Sequence, residues 1–277
     1  MLSFEETART ADLPTGPVHY NEAGQGPALF CFHGGGPGAN GWDNTKHNLE
    51  FLAQRFRVFL VDLPGYGRSP PVEALEGEDS PSLYARVMGL LLDHLRLEKA
   101  NLYGTSMSTM MAMQFAYDHP ERVAKLVLKT PVTGPTLLTP SPPDGIIALN
   151  AFPENPTREA MARIMECFFP NPKFRTEAMI DARYASAMLA RSYPKPKRAP
   201  AVSAWKGMYQ VLAGLKVPVL ALWGNQDRMV PMDGALMALA LIPNVQVHIW
   251  GGGTGHFIEY EHPEEWQDIV TAFLLKP

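Results

Sequence analysis

The chain has 277 residues, 46% of them hydrophobic and 19% charged, with a formal net charge of -4. That size and composition suit one sizeable core with a small appended lid, and the near balance of charge gives no electrostatic case for nucleic acid or an anionic membrane surface as a partner. No run of about 18 apolar residues reads as a membrane span. The stretch Met1 to Thr7 lacks the basic start and apolar run of a signal peptide, so a soluble cytoplasmic protein is expected. The two cysteines, Cys31 in the apolar run Ala28–Phe32 and Cys167 in an expected helix, read as reduced, packed thiols. No Cys/His spacing suggests a metal, and no cofactor is expected.

In chain order, Leu29–Phe32 reads as a strand, Trp42–Gln54 as a helix, and Arg57–Val61 as a strand ending at Asp62 and the turn Leu63-Pro64-Gly65-Tyr66-Gly67. Leu83, Val87, Leu90, Leu91 and Leu95 repeat at helical spacing over Pro81–Leu95, with Ser80 as the expected N-cap and Pro81 at the first helical position. Ala100–Tyr103 is a strand, Ser106–His119 a helix and Val123–Leu128 a strand. Such alternation implies a mostly parallel sheet with helices on both faces. The pattern breaks over residues 134–204, where proline-rich connectors separate two helical stretches, Arg158–Phe169 and Glu177–Arg191; Pro156 marks the start of the first and Thr176 caps the second. Many of the chain's 26 prolines fall there. Alternation resumes with strand Val217–Trp223, a helix near Asp233–Leu241, strand Val245–Trp250 and a last helix, Pro263–Leu275. The expected organisation is an α/β core, residues 1–133 and 205–277, with a helical cap, 134–204, inserted between its pieces.

Ser106 stands in Gly104-Thr105-Ser106-Met107-Ser108, between a strand and a helix. A serine there sits on a sharp turn with its hydroxyl held clear of the backbone, as in the G-x-S-x-G elbow. Ser108 replaces the last glycine, and an ordinary N-cap serine is the competing reading. A serine needs a base. His256, in the glycine-rich loop Gly251 to Phe257 before the last helix, is the candidate, with a surface loop histidine as the alternative. Asp227, in the turn Gly224 to Pro231, would hold the histidine tautomer; an Asx-turn or an ion pair with Arg228 is its bland alternative. The order Ser106, Asp227, His256, each after a strand, is that of α/β-hydrolases. His33-Gly34-Gly35-Gly36-Pro37-Gly38 follows the first strand and would supply an oxyanion-hole N–H from Gly35 or Gly36, with Met107 N–H as the second donor. His33 is expected to shape that loop, and Asp62 is the weaker orienter. A dinucleotide reading of the glycines fails on spacing and on Pro37.

The stretch His33 to Asn44, together with Ser106-Met107, Asp227 to Pro231 and Glu261-His262, resembles the meta-cleavage product hydrolases of the α/β-hydrolase fold over nearly the whole chain. These are serine-dependent C–C bond hydrolases acting on 2-hydroxy-6-oxo-hexa-2,4-dienoates, the ring-opened products of aromatic catabolism. The resemblance implies a small-molecule acidic ketone or dienoate as substrate. It also implies substrate-binding positions at Asn44, Thr105, Phe168, Arg183, Trp205 and Phe257, with Arg183 holding the carboxylate. The family's usual residues before the nucleophile and after the histidine are asparagine and tryptophan; here they are Thr105 and Phe257, which makes that end of the pocket less polar. A carboxylesterase with the same triad stays open, as does a non-catalytic hydrolase-fold binding protein. A proline iminopeptidase would want an acidic cluster in the cap, for which Glu154, Glu159 and Glu166 are candidates. No nucleic-acid or membrane partner is expected, and a homodimer is left open.

Overall fold

A computed structural model describes residues 2–134, 138–139, 141–199, 205 and 207–276. It begins with a short helix α1 (Phe4–Thr7) and an antiparallel hairpin, β1 (Ala8–Leu13) and β2 (Gly16–Ala23). The hairpin has no counterpart in the sequence expectations, because β1 is an edge strand carrying Arg9, Thr10 and Asp12, with a weak apolar pattern. Alternation follows: β3 (Ala28–Phe32), α2 (Gly41–Ala53), β4 (Arg57–Val61), α3 (Ser80–His94), β5 (Ala100–Thr105), α4 (Met107–Asp118) and β6 (Val123–Lys129). Three inserted helices come next, α5 (Asp144–Ala151), α6 (Arg158–Phe168) and α7 (Glu177–Arg191). The chain ends with α8 (Met208–Gly214), β7 (Val219–Gly224), α9 (Gly234–Leu241), β8 (Val245–Trp250), α10 (Ile258–Glu261) and α11 (Pro263–Leu275).

The sheet order is β1-β2-β4-β3-β5-β6-β7-β8. From β4 to β8 all neighbours run parallel, while β2 runs antiparallel to both β1 and β4. Every residue of β3, β5 and β7 is buried, as expected for strands covered on both faces. One face packs Phe30, Leu102 and Leu126 against Leu83, Met88 and Leu91 of α3 and Met111 and Phe115 of α4. The other packs Leu29, Tyr103 and Leu220 against Leu49 and Leu52 of α2 and Trp266 and Val270 of α11. A third cluster joins Phe152, Met165, Phe168 and Ile180 of the inserted segment to Met229 and Phe257 of the core.

Two capping expectations are corrected. Asp79, not Ser80, caps α3, accepting the Ser82 N–H at 3.0 Å. Thr157 caps α6, so the helix begins beyond Pro156. Thr176 caps α7 as expected. In each helix the capping oxygen is the one placed three residues before an orphan N–H, that of Ser82 for Asp79 and that of Ala160 for Thr157. Residues 135–137, 140 and 200–204 of the expected cap segment lie outside the described residues.

The site follows from this topology. The chain goes from β3 outward to β4, then returns across β3 to β5. The loops leaving β3 and β5 therefore face one another at a switch point, where open α/β sheets form a crevice beyond the strands' carboxyl ends.

Candidate active site

Ser106 leaves β5 with φ 51° and ψ -115°, outside both helical and extended regions. A non-glycine residue there is strained, and the surrounding structure must hold it. The Ser106 N–H donates to Lys129 O at 2.8 Å. Ser108 takes the place of a glycine by turning its hydroxyl inward, where it accepts the Thr105 N–H at 2.8 Å and donates to Phe32 O at 3.1 Å. Ser106 makes no side-chain cap to α4, so the N-cap reading of this serine does not hold.

His256 and Asp227 are both buried. His256 Nδ1 donates to Asp227 Oδ2 at 2.7 Å. The other carboxylate oxygen accepts the Met229 and Val230 N–H groups at 2.7 and 3.0 Å. The Asx-type turn and the orienting contact therefore coexist, one per oxygen. Arg228 turns away to pair with Asp144 instead. With Nδ1 protonated against Asp227, Nε2 carries the free lone pair of a general base. The His256 N–H donates to Phe168 O at 2.9 Å, and the Phe168 ring stacks on the imidazole at 5.4 Å. The inserted helix α6 thus holds both the backbone and the ring of His256.

The glycine loop lies over the elbow. A Cβ at Gly35 would come within 2.9 Å of Met107 Sδ, so glycine lets the loop lie close over the start of α4 without displacing that side chain. A Cβ at Gly38, where φ is +72°, would collide with the Arg183 carbonyl; this second glycine admits α7 to the site. The Tyr66 hydroxyl lies 3.5 Å from Met107 Sδ, and Gly35 and Gly36 both line the cavity beside Met107. His33 shapes the loop from beneath: its Nε2 accepts the Leu63 N–H at 3.0 Å and its Nδ1 contacts Gly34 O at 2.7 Å. Asp62 is taken up structurally, by His19 and by the N–H groups of Gly41 and Arg68.

A cavity of about 210 Å³ brings most of these groups together. Ser106, His256, Gly35, Gly36 and Met107 line it, as do Asn44, Thr105, Phe168, Arg183 and Phe257. Asp227 lies behind His256. Trp205 is placed elsewhere and corrects an expectation: its indole N–H donates to Gln114 Oε1 at 2.8 Å, and its ring joins the α3/α4 side of the core. Packing, not substrate contact, accounts for it. Glu154, Glu159 and Glu166 do not line the cavity, and Glu166 pairs with Arg163 and Arg175. Sequence reasoning missed the apolar wall of Met110, Val132, Ile146, Leu149, Met229 and Val230. Met229 and Val230 adjoin Asp227 and were within reach; the others carry no distinguishing signal. Cys31 and Cys167 are buried, and burial pushes both thiols up, as expected for packed residues.

Arg183 supplies the charge. No carboxylate pairs with it among the described residues, and its Nε is buried without a hydrogen-bond partner. Burial pushes the guanidinium down to about 10, with Asp43, Tyr66 and Tyr260 pulling it back. Its Cζ sits 4.6 Å from the centre of the Phe168 ring. A half-buried cation whose Nε has lost water without gaining a partner is poorly solvated until an anion joins it, and a guanidinium fork suits a carboxylate.

Residues 27–263 match the α/β-hydrolase fold family. A 2-hydroxy-6-oxononadienedioate/2-hydroxy-6-oxononatrienedioate hydrolase of Burkholderia vietnamiensis is 36% identical over 269 residues, covering 93% of this chain and 90% of the relative. The solved meta-cleavage product hydrolase of Pseudomonas fluorescens IP01 superposes with a TM-score of 0.81 at 22% identity, over 97% of this chain and 98% of that one. The chain belongs to the meta-cleavage product hydrolases of the α/β-hydrolase fold. The esterase RhEst1 of Rhodococcus sp. shares the fold, with a TM-score of 0.77 at 21% identity over 97% and 98% of the two chains. The fold is thus common to both chemistries, and the cavity wall has to discriminate between them.

In this meta-cleavage product hydrolase the loop before His256 is held by a second carboxylate. Glu261 accepts the Gly255 N–H at 2.8 Å, and burial beside Glu259 and Asp227 raises it to about 7. Its folded-state value thus exceeds its unfolded one. Stability is unaffected below the unfolded value, falls as pH rises between the two, and stays reduced above about 7. Glu261→Gln keeps the acceptor and removes the charge. Urea unfolding at pH 8 is expected to show the variant more stable by about 1 to 2 kcal/mol, after allowance for solvent screening. The difference should vanish near pH 4. Equal stabilities at pH 8 would contradict a strained carboxylate. Among the described residues no group of three His, Cys, Asp or Glu side chains is arranged for a metal, and no helix is long and apolar enough to cross a membrane.

Proposed function

We propose that the protein hydrolyses the C5–C6 bond of 2-hydroxy-6-oxo-hexa-2,4-dienoate-type ring-cleavage products, with Ser106 as nucleophile, His256 as base and Asp227 as orienter. The observation that carries this reading is the half-buried Arg183 in the cavity wall shared with Ser106 and His256, its Nε enclosed without a hydrogen-bond partner. An ordinary esterase has no need of a fixed cation there; a substrate with a carboxylate does. Residues 134–204 act as the cap that brings Phe168 and Arg183 to the core, 1–133 and 205–277. Asn44, Thr105 and Phe257 complete the wall at the substrate.

The chemistry proceeds in balanced steps. The bound dienol ketonises: its 2-hydroxyl proton is lost and a proton is added at C5, leaving a C3=C4 double bond conjugated to a C2 ketone. Ser106 attacks the C6 carbonyl while its proton passes to His256. The oxyanion is steadied by the N–H groups of Met107 and of Gly35 or Gly36. When C5–C6 breaks, its electron pair flows through C3=C4 to the C2 oxygen, and the imidazolium returns the proton. His256 then activates water, which releases the acyl group from Ser106 as a carboxylic acid.

Among the described residues, Arg183 is the one fixed cation on a wall otherwise rich in methionine, leucine, isoleucine and valine. The acyl side of the substrate is therefore a hydrocarbon group. In this it differs from the second carboxylate that the word dienedioate implies for the Burkholderia relative's substrate. The reading includes a cytoplasmic site of action and leaves a homodimer to be tested by size-exclusion chromatography.

Arg183→Met tests the reading. Loss of a charged hydrogen-bonding pair is worth about 1.5 to 3 kcal/mol, so KM for a dienoate should rise about 10- to 100-fold. Turnover of an uncharged p-nitrophenyl ester should change by no more than a few-fold. An unchanged KM for the dienoate, or an equal loss on both substrates, would place the carboxylate elsewhere.

A further inference from the structure

Behind the base lies an ion pair that the acyl chemistry does not use. Lys129 ends β6, Glu259 belongs to α10, and both side chains are fully buried. Lys129 Nζ donates to Glu259 Oε1 and stands 4.3 Å from the centre of the Phe257 ring. Glu259 Oε2 is buried with no hydrogen-bond partner among the described residues. Asp227 and Glu261 also face the ammonium; burial pushes it down and the three carboxylates pull it back. Such a pair is a poor device for stability. Packed apolar residues of similar volume often serve as well or better, because both charges are removed from water. A half-satisfied pair at this place calls for a reason other than stability.

Lys129 joins the two halves of the site through two different groups. Its backbone carbonyl accepts the N–H of Ser106 at 2.8 Å. Its side chain grips Glu259 and the ring of Phe257, the residue next to His256. The following residue, Thr130, held at φ 47°, brings its hydroxyl to 3.4 Å from His256 Nδ1. We propose that Lys129 is a positioning residue for hydrolysis: its pairing with Glu259 and its contact with Phe257 tie the His256 loop to the nucleophile elbow. Neither Lys129 nor Glu259 lines the cavity, so the effect reaches the reaction through the residues they hold: His256, Ser106 and the neighbouring wall residue Phe257. The inference rests on the proposed roles of those two residues.

A tie of this kind acts on kcat. Misplacing a base by about 1 Å costs on the order of 100-fold in rate without weakening substrate binding. The double variant Lys129→Met/Glu259→Gln removes both charges of the pair, while Asp227 and Glu261 keep the donors that hold them. It should keep or raise the wild-type Tm, hold KM for a dienoate within about twofold, and lower kcat about 10- to 100-fold. The inhibition constant of benzoate, a simple carboxylate competitor, should not move. A double variant with wild-type kcat would overturn the proposal, and so would a loss of kcat matched by an equal rise in KM. Should that variant not fold, Glu259→Gln alone carries the test. It keeps an acceptor for Lys129 but not the charge, so kcat should fall several-fold at constant KM, and a wild-type kcat would again overturn the tie. Failure of the underlying site assignment looks different, because it would appear as retained turnover in Ser106→Ala.

Discussion

Ser106→Ala is expected to lower kcat at least about 10⁴-fold and to leave Tm unchanged. The two readouts together separate the roles a serine at this position could have. An N-cap serine contributes about 1 kcal/mol to its helix, which for a protein of this size is worth about 2 to 4 °C in Tm and nothing in catalysis. The Ser106 hydroxyl makes no cap to α4, so its removal costs the helix nothing. The elbow itself rests on backbone contacts, Ser106 N–H to Lys129 O and Thr105 N–H to the Ser108 hydroxyl, which alanine preserves. Arg183 and the apolar wall remain, so the variant should still bind the dienoate. A variant that turns over normally would remove the nucleophile assignment; one that loses several degrees of Tm would restore the capping role.

Asp227→Asn is expected to fold normally and to lose about 10³- to 10⁴-fold in kcat. The structure dictates which way the new amide faces. Met229 and Val230 present two N–H donors to the Oδ1 position, and only an oxygen satisfies them. The amide nitrogen must then face His256 Nδ1, where the wild type has a carboxylate oxygen. Two donors cannot share that contact, so the imidazole shifts its proton to Nε2. Nε2 then has no lone pair for the serine proton. The loss should appear in kcat, with Tm close to wild type because the turn keeps its acceptor. Near-normal activity would mean that the tautomer is set elsewhere, Thr130 being the neighbouring hydroxyl.

The fold was legible where periodicity was strong. Buried strands such as Leu29–Phe32 and Val219–Gly224 are continuous apolar runs, and the helices between them carry apolar faces. The β1/β2 hairpin was not legible, because its edge strand faces water and needs few apolar residues. The short helices α5 and α8 likewise lack the length over which a 3.6-residue period can be recognised. At the site, Ser106, Asp227 and His256 could be read because each follows a strand in a fixed order. Arg183 and Phe168 could be reached only by resemblance: their side chains arrive through the packing of α6 and α7, which no local pattern encodes. Trp205 shows the limit of that route, since its partner turned out to be Gln114 on α4. Lys129 and Glu259 lie 130 residues apart. Read singly, each is an ordinary charged residue at the end of a strand or in a helix; only the fold turns them into a buried pair.

The central claim is that the cavity accepts an acid through Arg183 and delivers a hydrocarbon acyl group to Ser106. Steady-state hydrolysis of 2-hydroxy-6-oxo-6-phenylhexa-2,4-dienoate, followed as loss of its visible absorbance and set beside p-nitrophenyl butyrate, tests it most directly. The account predicts kcat/KM for the dienoate at least about 100-fold above that for the ester. Efficient ester turnover with an inert dienoate would contradict it.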